Sequence, residues 1–80
     1  MNSLIEAAIA AVETAQCKAV QAKIAAEKAV SKLGRGEKCT MEDVLLTRDA
    51  AKFHVEYLKA EVRLAELIKE ELIKKEEGHE

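Results

Sequence analysis

Residues 5–33 of this chain read IEAAIAAVETAQCKAVQAKIAAEKAVSKL. Apolar side chains recur in this segment at alternating spacings of three and four, which places them along one face of an α-helix. Six of the nine positions are alanine. The nine residues are Ile5, Ala8, Val12, Ala15, Ala19, Ala22, Ala26, Ala29 and Leu33. Because alanine is small, a second helix can approach this face to about 8 Å between the axes. We call this face the alanine seam, and it predicts close packing of helix on helix.

Local signals predict where this first helix begins and ends. Ser3 is a candidate N-cap, and Glu6 follows three residues later, as in a capping box. Gly34 is the candidate C′ residue, just past the end of the helix, because glycine adopts the left-handed conformation without a steric penalty. We therefore predict helix 1 at about residues 4–33.

A second helix follows after a short connection. Thr40 is its candidate N-cap with Asp43 three residues later, and no glycine or proline interrupts the chain until Gly78. We predict helix 2 at about residues 41–77; the sequence does not decide whether it is continuous, because a bend near residues 59–61 would leave no mark. A connection this short makes the helices antiparallel neighbours, so the predicted fold is all-α, with residues 1–80 forming a single helical-hairpin domain.

The composition agrees with long helices and with a need for association. Hydrophobic residues make up 49% of the 80 residues and charged residues 35%, with one Phe, one Tyr and no Trp. No alternating β-branched run predicts a strand. A chain of this size forms a marginal core alone and usually needs a disulfide, a metal, oligomerisation or very regular helix packing.

Helix 2 carries more apolar surface than one neighbouring helix can cover. The first stripe consists of Val44, Ala51, Val55, Leu58, Val62, Ala65 and Leu72. The second stripe consists of Leu46, Ala50, Phe53, Tyr57, Leu64, Leu67 and Ile68. Surplus apolar surface of this extent marks an interaction site. We expect the hairpin to self-associate into a four-helix bundle or a larger helical assembly; the alternative is docking onto another protein. The predicted contacts are Leu46, Phe53, Tyr57, Leu64, Leu67 and Ile68.

Two polar residues, His54 and Glu61, lie between these stripes, two helical turns apart. One interpretation makes them metal ligands inside a bundle, doubled by symmetry, although the Glu-x-x-His pattern of di-iron bundles is missing. The favoured interpretation is a polar pair that fixes the register of packing. We therefore predict no bound metal and no cofactor.

Basic residues concentrate near the connection, whereas both termini are acidic. Lys28, Lys32, Arg35 and Lys38 are candidate contacts for nucleic acid, because phosphate binding requires clustered Lys and Arg. Attraction between opposite ends of two molecules is another interpretation, and compensation of the helix dipole is the simplest. A net charge of −2 and the lack of interleaved aromatic residues make nucleic acid the less favoured partner.

The two cysteines, Cys17 and Cys39, are too far apart along the predicted hairpin for a disulfide, and we expect Cys17 to serve as a small packing residue. No catalytic motif is present. The sequence offers no membrane-spanning stretch and no signal-peptide pattern, so a cytoplasmic location is expected. We therefore predict a non-enzymatic hairpin acting through protein contacts as an adaptor, small regulator or assembly subunit. A nucleic-acid-binding regulator and a metal-binding bundle are the alternatives.

Overall fold

A computed structural model describes residues 2–78, which form two helices. Helix α1 spans Ser3–Gly34 and helix α2 spans Met41–Gly78 without a break. The two helices lie antiparallel, as the hydrogen bond between Asn2 at the start of α1 and Glu71 near the end of α2 shows. The two helices form a rod whose Cα atoms extend over 66 × 16 × 16 Å. The predicted all-helical hairpin is confirmed for the described residues, with helix bounds within one residue of those predicted.

The start of α1 differs from the prediction by one residue. Asn2 is the N-cap, and its Oδ1 accepts a hydrogen bond from the backbone N–H of Leu4 at 2.8 Å. Ser3, predicted as the cap, is the first helical residue. Asparagine and serine are both strong N-caps. A contact with α2 favours Asn2, because its Nδ2 also donates to Oε2 of Glu71 at 3.1 Å.

The end of α1 also differs from the prediction. Gly36, with φ of 75°, adopts the left-handed conformation, whereas Gly34 remains helical. The N–H of Gly36 donates to the carbonyl of Leu33 at 3.0 Å, and that of Glu37 donates to the carbonyl of Lys32 at 2.9 Å. These two bonds form a Schellman motif, which satisfies carbonyls at the helix end. The glycine that stops the helix is therefore Gly36.

The start of α2 confirms the predicted cap. The N–H of Thr40 donates to Oδ2 of Asp43 at 2.9 Å, and the N–H of Asp43 donates to Oγ1 of Thr40 at 3.3 Å. This reciprocal pair is a capping box with aspartate in place of glutamate, and it satisfies two backbone donors at the helix start. Asp43 is 5% exposed, so the cap is part of the buried contact between the helices.

The alanine seam packs against α2 along most of its length. Eight of its nine positions are buried or half-buried, whereas Leu33 is 61% exposed because Lys32 takes the inward position at the end of α1. The facing residues of α2 repeat at spacings of three and four: Leu46, Ala50, Phe53, Tyr57, Ala60, Leu64 and Leu67. In the described chain only Ala8, Ala26 and Ala29 form a buried apolar core. The contact between the helices is close but thin.

Candidate interaction face

One side of the hairpin exposes large apolar side chains from both helices. We call it the open face and define it by residues that flank the seam on this side: Ile9, Val20 and Val30 of α1, and Val44, Leu58, Ile68 and Leu72 of α2. Each is between 36% and 57% exposed. The heptad positions of these residues place them beside one another along the rod, because the flanks of an antiparallel pair meet on a common side. The residues of the open face therefore share one side of the rod rather than being scattered around it.

Two grooves run along the open face between the helices. One is lined by residues including Ala19, Val20, Ala51 and Tyr57. The other is lined by residues including Ala29, Val30, Val44 and Ala51. Ala51 belongs to both, so the grooves adjoin. The narrow alanine seam explains them, because small side chains leave the space between the two backbones open at the surface.

The opposite side of the hairpin is more polar. Its groove is lined by Lys18, Gln21, Ala22, Leu46, Asp49 and Phe53. Further along this side, α2 presents Glu56, Arg63 and Glu70 at heptad intervals from Asp49. Leu45 and Ile73 are its large exposed apolar residues on α2, each 43% exposed. The two sides therefore differ in polarity, and only the open face offers an extended apolar surface.

The two apolar stripes of α2 differ from the prediction in which one is exposed. Five of the six residues predicted to join two copies are half-buried within the hairpin itself: Leu46, Phe53, Tyr57, Leu64 and Leu67. Ile68 is the exception at 43% exposed. The second stripe supplies the bulk that the alanine seam lacks, so Phe53 lies in a groove with Ala22 and Tyr57 lies in one with Ala19. The first stripe, from Val44 to Leu72, is the one left exposed.

A polar group interrupts the open face near the middle of the rod. His54 is exposed and lines the groove with Gln16 and Lys23, and its ring centroid lies 6.4 Å from that of Tyr57. The hydroxyl of Tyr57 donates to Oε2 of Glu61 at 3.2 Å. Desolvation in the groove raises the pKa of Tyr57, and the hydrogen bond and negative charge of Glu61 raise it further.

The two candidate metal ligands do not meet within one chain. Both His54 and Glu61 are exposed, and two turns of helix separate their backbones by about 10 Å. Across the described residues, no three histidine, cysteine, aspartate or glutamate side chains form a group that could hold a metal ion. Among residues 2–78, the one hydrogen bond to the Glu61 carboxylate comes from the hydroxyl of Tyr57.

Two of the four candidate nucleic-acid contacts are paired with acidic residues. Nζ of Lys32 lies 3.2 Å from Oδ1 of Asp43. Nε of Arg35 lies 3.3 Å from Oε1 of Glu37, and its Nη2 donates to Oε2 at the same distance. In the part of the chain that the structure describes, Lys28 and Lys38 form no ion pair. The connection therefore carries less uncompensated positive charge than the sequence alone indicates.

Both cysteines are exposed and free. Cys17 lies on the outer surface of α1, not in the packing position predicted for it, and its Sγ accepts a hydrogen bond from Nε2 of Gln21 at 3.7 Å. Cys39 lies in the connection, just before the Thr40 cap. The two thiols thus mark the middle and one end of the rod.

Comparison with known proteins places no relative beside this chain: no protein-family model, no curated protein and no solved structure matches it. Within residues 2–78, neither helix combines the length and hydrophobicity needed to cross a membrane. The residues themselves define the class, an antiparallel helical hairpin with a thin alanine core and one open apolar face.

Proposed function

We propose that this chain is a non-enzymatic helical-hairpin protein that acts through protein contacts, and that a second copy of the chain covers its open face. The observation that carries the proposal is the accessible surface of 6382 Å². A folded monomer of 8.8 kDa typically exposes about 4,800 Å². The excess, about 1,600 Å², is larger than the ~800 Å² that each partner buries in a standard interface.

The composition of the core supports the same proposal. The buried apolar residues of the described chain are three alanines, which contribute little hydrophobic free energy compared with buried leucine or isoleucine. Leu58 and Val44 on the open face are about half exposed. Covering such side chains would supply the apolar burial that the hairpin alone lacks.

A second copy is the occupant that the open face itself favours. The face extends along the rod, from Leu72 near the termini to Val44 near the connection, with apolar residues from both helices. Two such faces can pack together about a two-fold axis, each apolar surface covering the other, and the product is a four-helix bundle. The polar side of each hairpin would then face outward.

A dimer of this form suits an adaptor, a small regulator or an assembly subunit. Each copy would present its polar side, including Asp49, Glu56 and Arg63, to water or to a further partner. Two identical polar sides on opposite surfaces of one bundle would offer two equivalent sites for such a partner. The proposed activity is therefore presentation and bridging rather than chemistry.

A matched pair of substitutions tests the proposal. Leu58 on the open face and Leu45 on the polar side lie on the same helix, at 46% and 43% exposure. Leu58→Glu should raise the dissociation constant of the dimer at least ~100-fold, since it places two charges in an apolar interface. Leu45→Glu makes the same chemical change outside the interface and should alter it less than ~3-fold. Sedimentation equilibrium measures both, and equal effects would contradict the assignment of the face.

A further inference from the structure

The charges on the open face fall at defined levels along the rod. Asn2 lies beside Glu71 and Lys32 lies beside Asp43, so a residue of α1 and a residue of α2 at the same height along the rod have residue numbers that add up to about 74. We call such a height a level. By this register Glu13 is level with Glu61, and Lys23 is level with Ala51, with which it lines a groove. All three charged residues are exposed. The open face therefore carries two carboxylates at one level and an ammonium group about 15 Å nearer the connection, besides the exposed Glu6 and Glu27, which share the heptad position of Glu13.

Both carboxylates lie on the same side as the grooves. Glu61 follows the groove residue His54 by one heptad, and Glu13 precedes the groove residue Val20 by one heptad. Side chains one heptad apart share a helical face. A second copy packed on the open face must therefore meet these charges, and its orientation determines which charge meets which.

The two symmetric orientations of a second copy differ sharply in these contacts. If the two connections lie at the same end, each level of one copy lies opposite the same level of the other copy. Four carboxylates, from Glu13 and Glu61 of both copies, then converge, and Lys23 of one copy faces Lys23 of the other. If the connections lie at opposite ends, a two-fold axis midway between the charged levels places each Lys23 opposite Glu13 and Glu61 of the other copy. Like charges placed opposite one another oppose association, and complementary charges fix its register.

The apolar side chains favour the same axis. Midway between the charged levels is also close to the middle of the hairpin, near Ala19 and Tyr57. An axis there places Ile68 of one copy opposite Val30 and Val44 of the other, so apolar residues near the termini cover those near the connection. One axis therefore pairs Lys23 with Glu13 and Glu61 and covers the full length of the open face, while Glu6 meets the level of Val30 and Glu27 that of Ile9.

From this placement we infer that two copies associate with their connections at opposite ends of the bundle, held in register by Lys23 of each copy against Glu13 and Glu61 of the other. This inference rests on the proposed self-association and specifies its geometry. The positive charge near each connection then lies beside the negatively charged termini of the other copy.

Spin labels on the two native cysteines test the orientation in the full chain. Labels on Cys39 in the Cys17→Ala variant should lie about 55 Å apart across the dimer, nearly the length of the hairpin. Connections at the same end would bring them within about 25 Å, the width of a four-helix bundle with its labels, and would overturn the inference. Pulsed electron paramagnetic resonance measures both ranges.

Labels on Cys17 in the Cys39→Ser variant test self-association separately from the orientation of the two copies. Cys17 lies near mid-length, so either orientation gives a short distance between copies, within about 35 Å. A short Cys17 distance with a short Cys39 distance would overturn the orientation while leaving self-association intact. No intermolecular distance at Cys17, together with a monomer mass, would overturn self-association and the orientation with it.

Charge reversal provides a second test of the register. Lys23→Glu should raise the dissociation constant at least ~10-fold at low salt, and adding Glu13→Lys and Glu61→Lys should restore it. Lys28→Glu makes the same charge change on the other side of α1 and should leave it within ~3-fold. With connections at the same end, Lys23→Glu merely replaces one like-charged pair by another, so an unchanged constant would contradict the inference.

Discussion

The side chains of Lys32 and Asp43 join the end of α1 to the start of α2, with Nζ 3.2 Å from Oδ1. Asp43 is simultaneously half of the capping box with Thr40 and is buried, whereas the Lys32 side chain remains 41% exposed. A single carboxylate thus caps α2, pairs with α1 and fills the last inward position beside the connection. This arrangement closes the hairpin where the alanine seam ends.

Asp43→Asn should lower the melting temperature at pH 7 by about 4–8 °C, because the amide loses the ion pair and weakens the cap. Asp49→Asn, on the polar side of the same helix, should change it by less than about 2 °C. Circular dichroism at fixed protein concentration measures both. Equal melting temperatures for the two variants would contradict a closing role for Asp43.

The contribution of Asp43 to stability should depend on pH. Its backbone hydrogen bond from Thr40, followed by the Lys32 side chain, lowers its pKa below the ordinary value. The folded chain therefore binds fewer protons than the unfolded chain between the two pKa values, so stability falls as the pH falls. The difference between wild type and Asp43→Asn should be complete above about pH 5 and shrink below about pH 4. Urea titrations from pH 2 to 7 test this, and a constant difference would contradict it.

Two glycines should respond to alanine in opposite directions. Neither Gly34 nor Gly36 has an atom within 4 Å of an added Cβ, so backbone conformation alone decides the outcome. Gly36→Ala places alanine at φ of 75° and should cost about 1 kcal/mol. Gly34→Ala adds a better helix former and should stabilise by about 0.5 kcal/mol. Urea unfolding measures both, and a destabilised Gly34→Ala variant would refute the assignment of the helix end.

The alanine seam should resist enlargement. Ala29 is 3% exposed against α2, so Ala29→Leu should overpack the contact and cost about 1–3 kcal/mol. Ala7 lies on the exposed outer surface of α1, and Ala7→Leu should change stability by less than about 0.5 kcal/mol. If both leucine variants were equally stable in urea, Ala29 would not be a packing residue.

The heptad pattern predicts the hairpin well because periodicity and burial are directly related in a two-helix structure. The seam positions from Ile5 to Ala29 all face α2. The cap of α1 was displaced by one residue because Asn2 and Ser3 are both good caps, and the contact with Glu71 that favours Asn2 joins residues far apart in the chain. The residues around Asn2 and Ser3 in the sequence do not indicate that contact.

Periodicity could not decide which stripe of α2 faces α1, since both repeat at helical spacing. A signal did exist: a face of alanines needs bulky partners, and the second stripe contains both aromatic residues, Phe53 and Tyr57. Weighing side-chain volume across the contact would have placed that stripe inside the hairpin and left Val44, Leu58 and Leu72 exposed. The sequence alone could not place Glu13 and Glu61 at one level and Lys23 at another, because these positions depend on how the two helices are aligned. The structure supplies that alignment.

Self-association is the central claim, and the mass of the native assembly tests it most directly. Sedimentation equilibrium of the full chain at micromolar concentrations should give twice the 8.8 kDa of one chain. The same samples should unfold at temperatures that rise with protein concentration, because dilution favours separated chains. A helical, cooperatively unfolding species of 8.8 kDa, with a melting temperature independent of concentration, would contradict the claim.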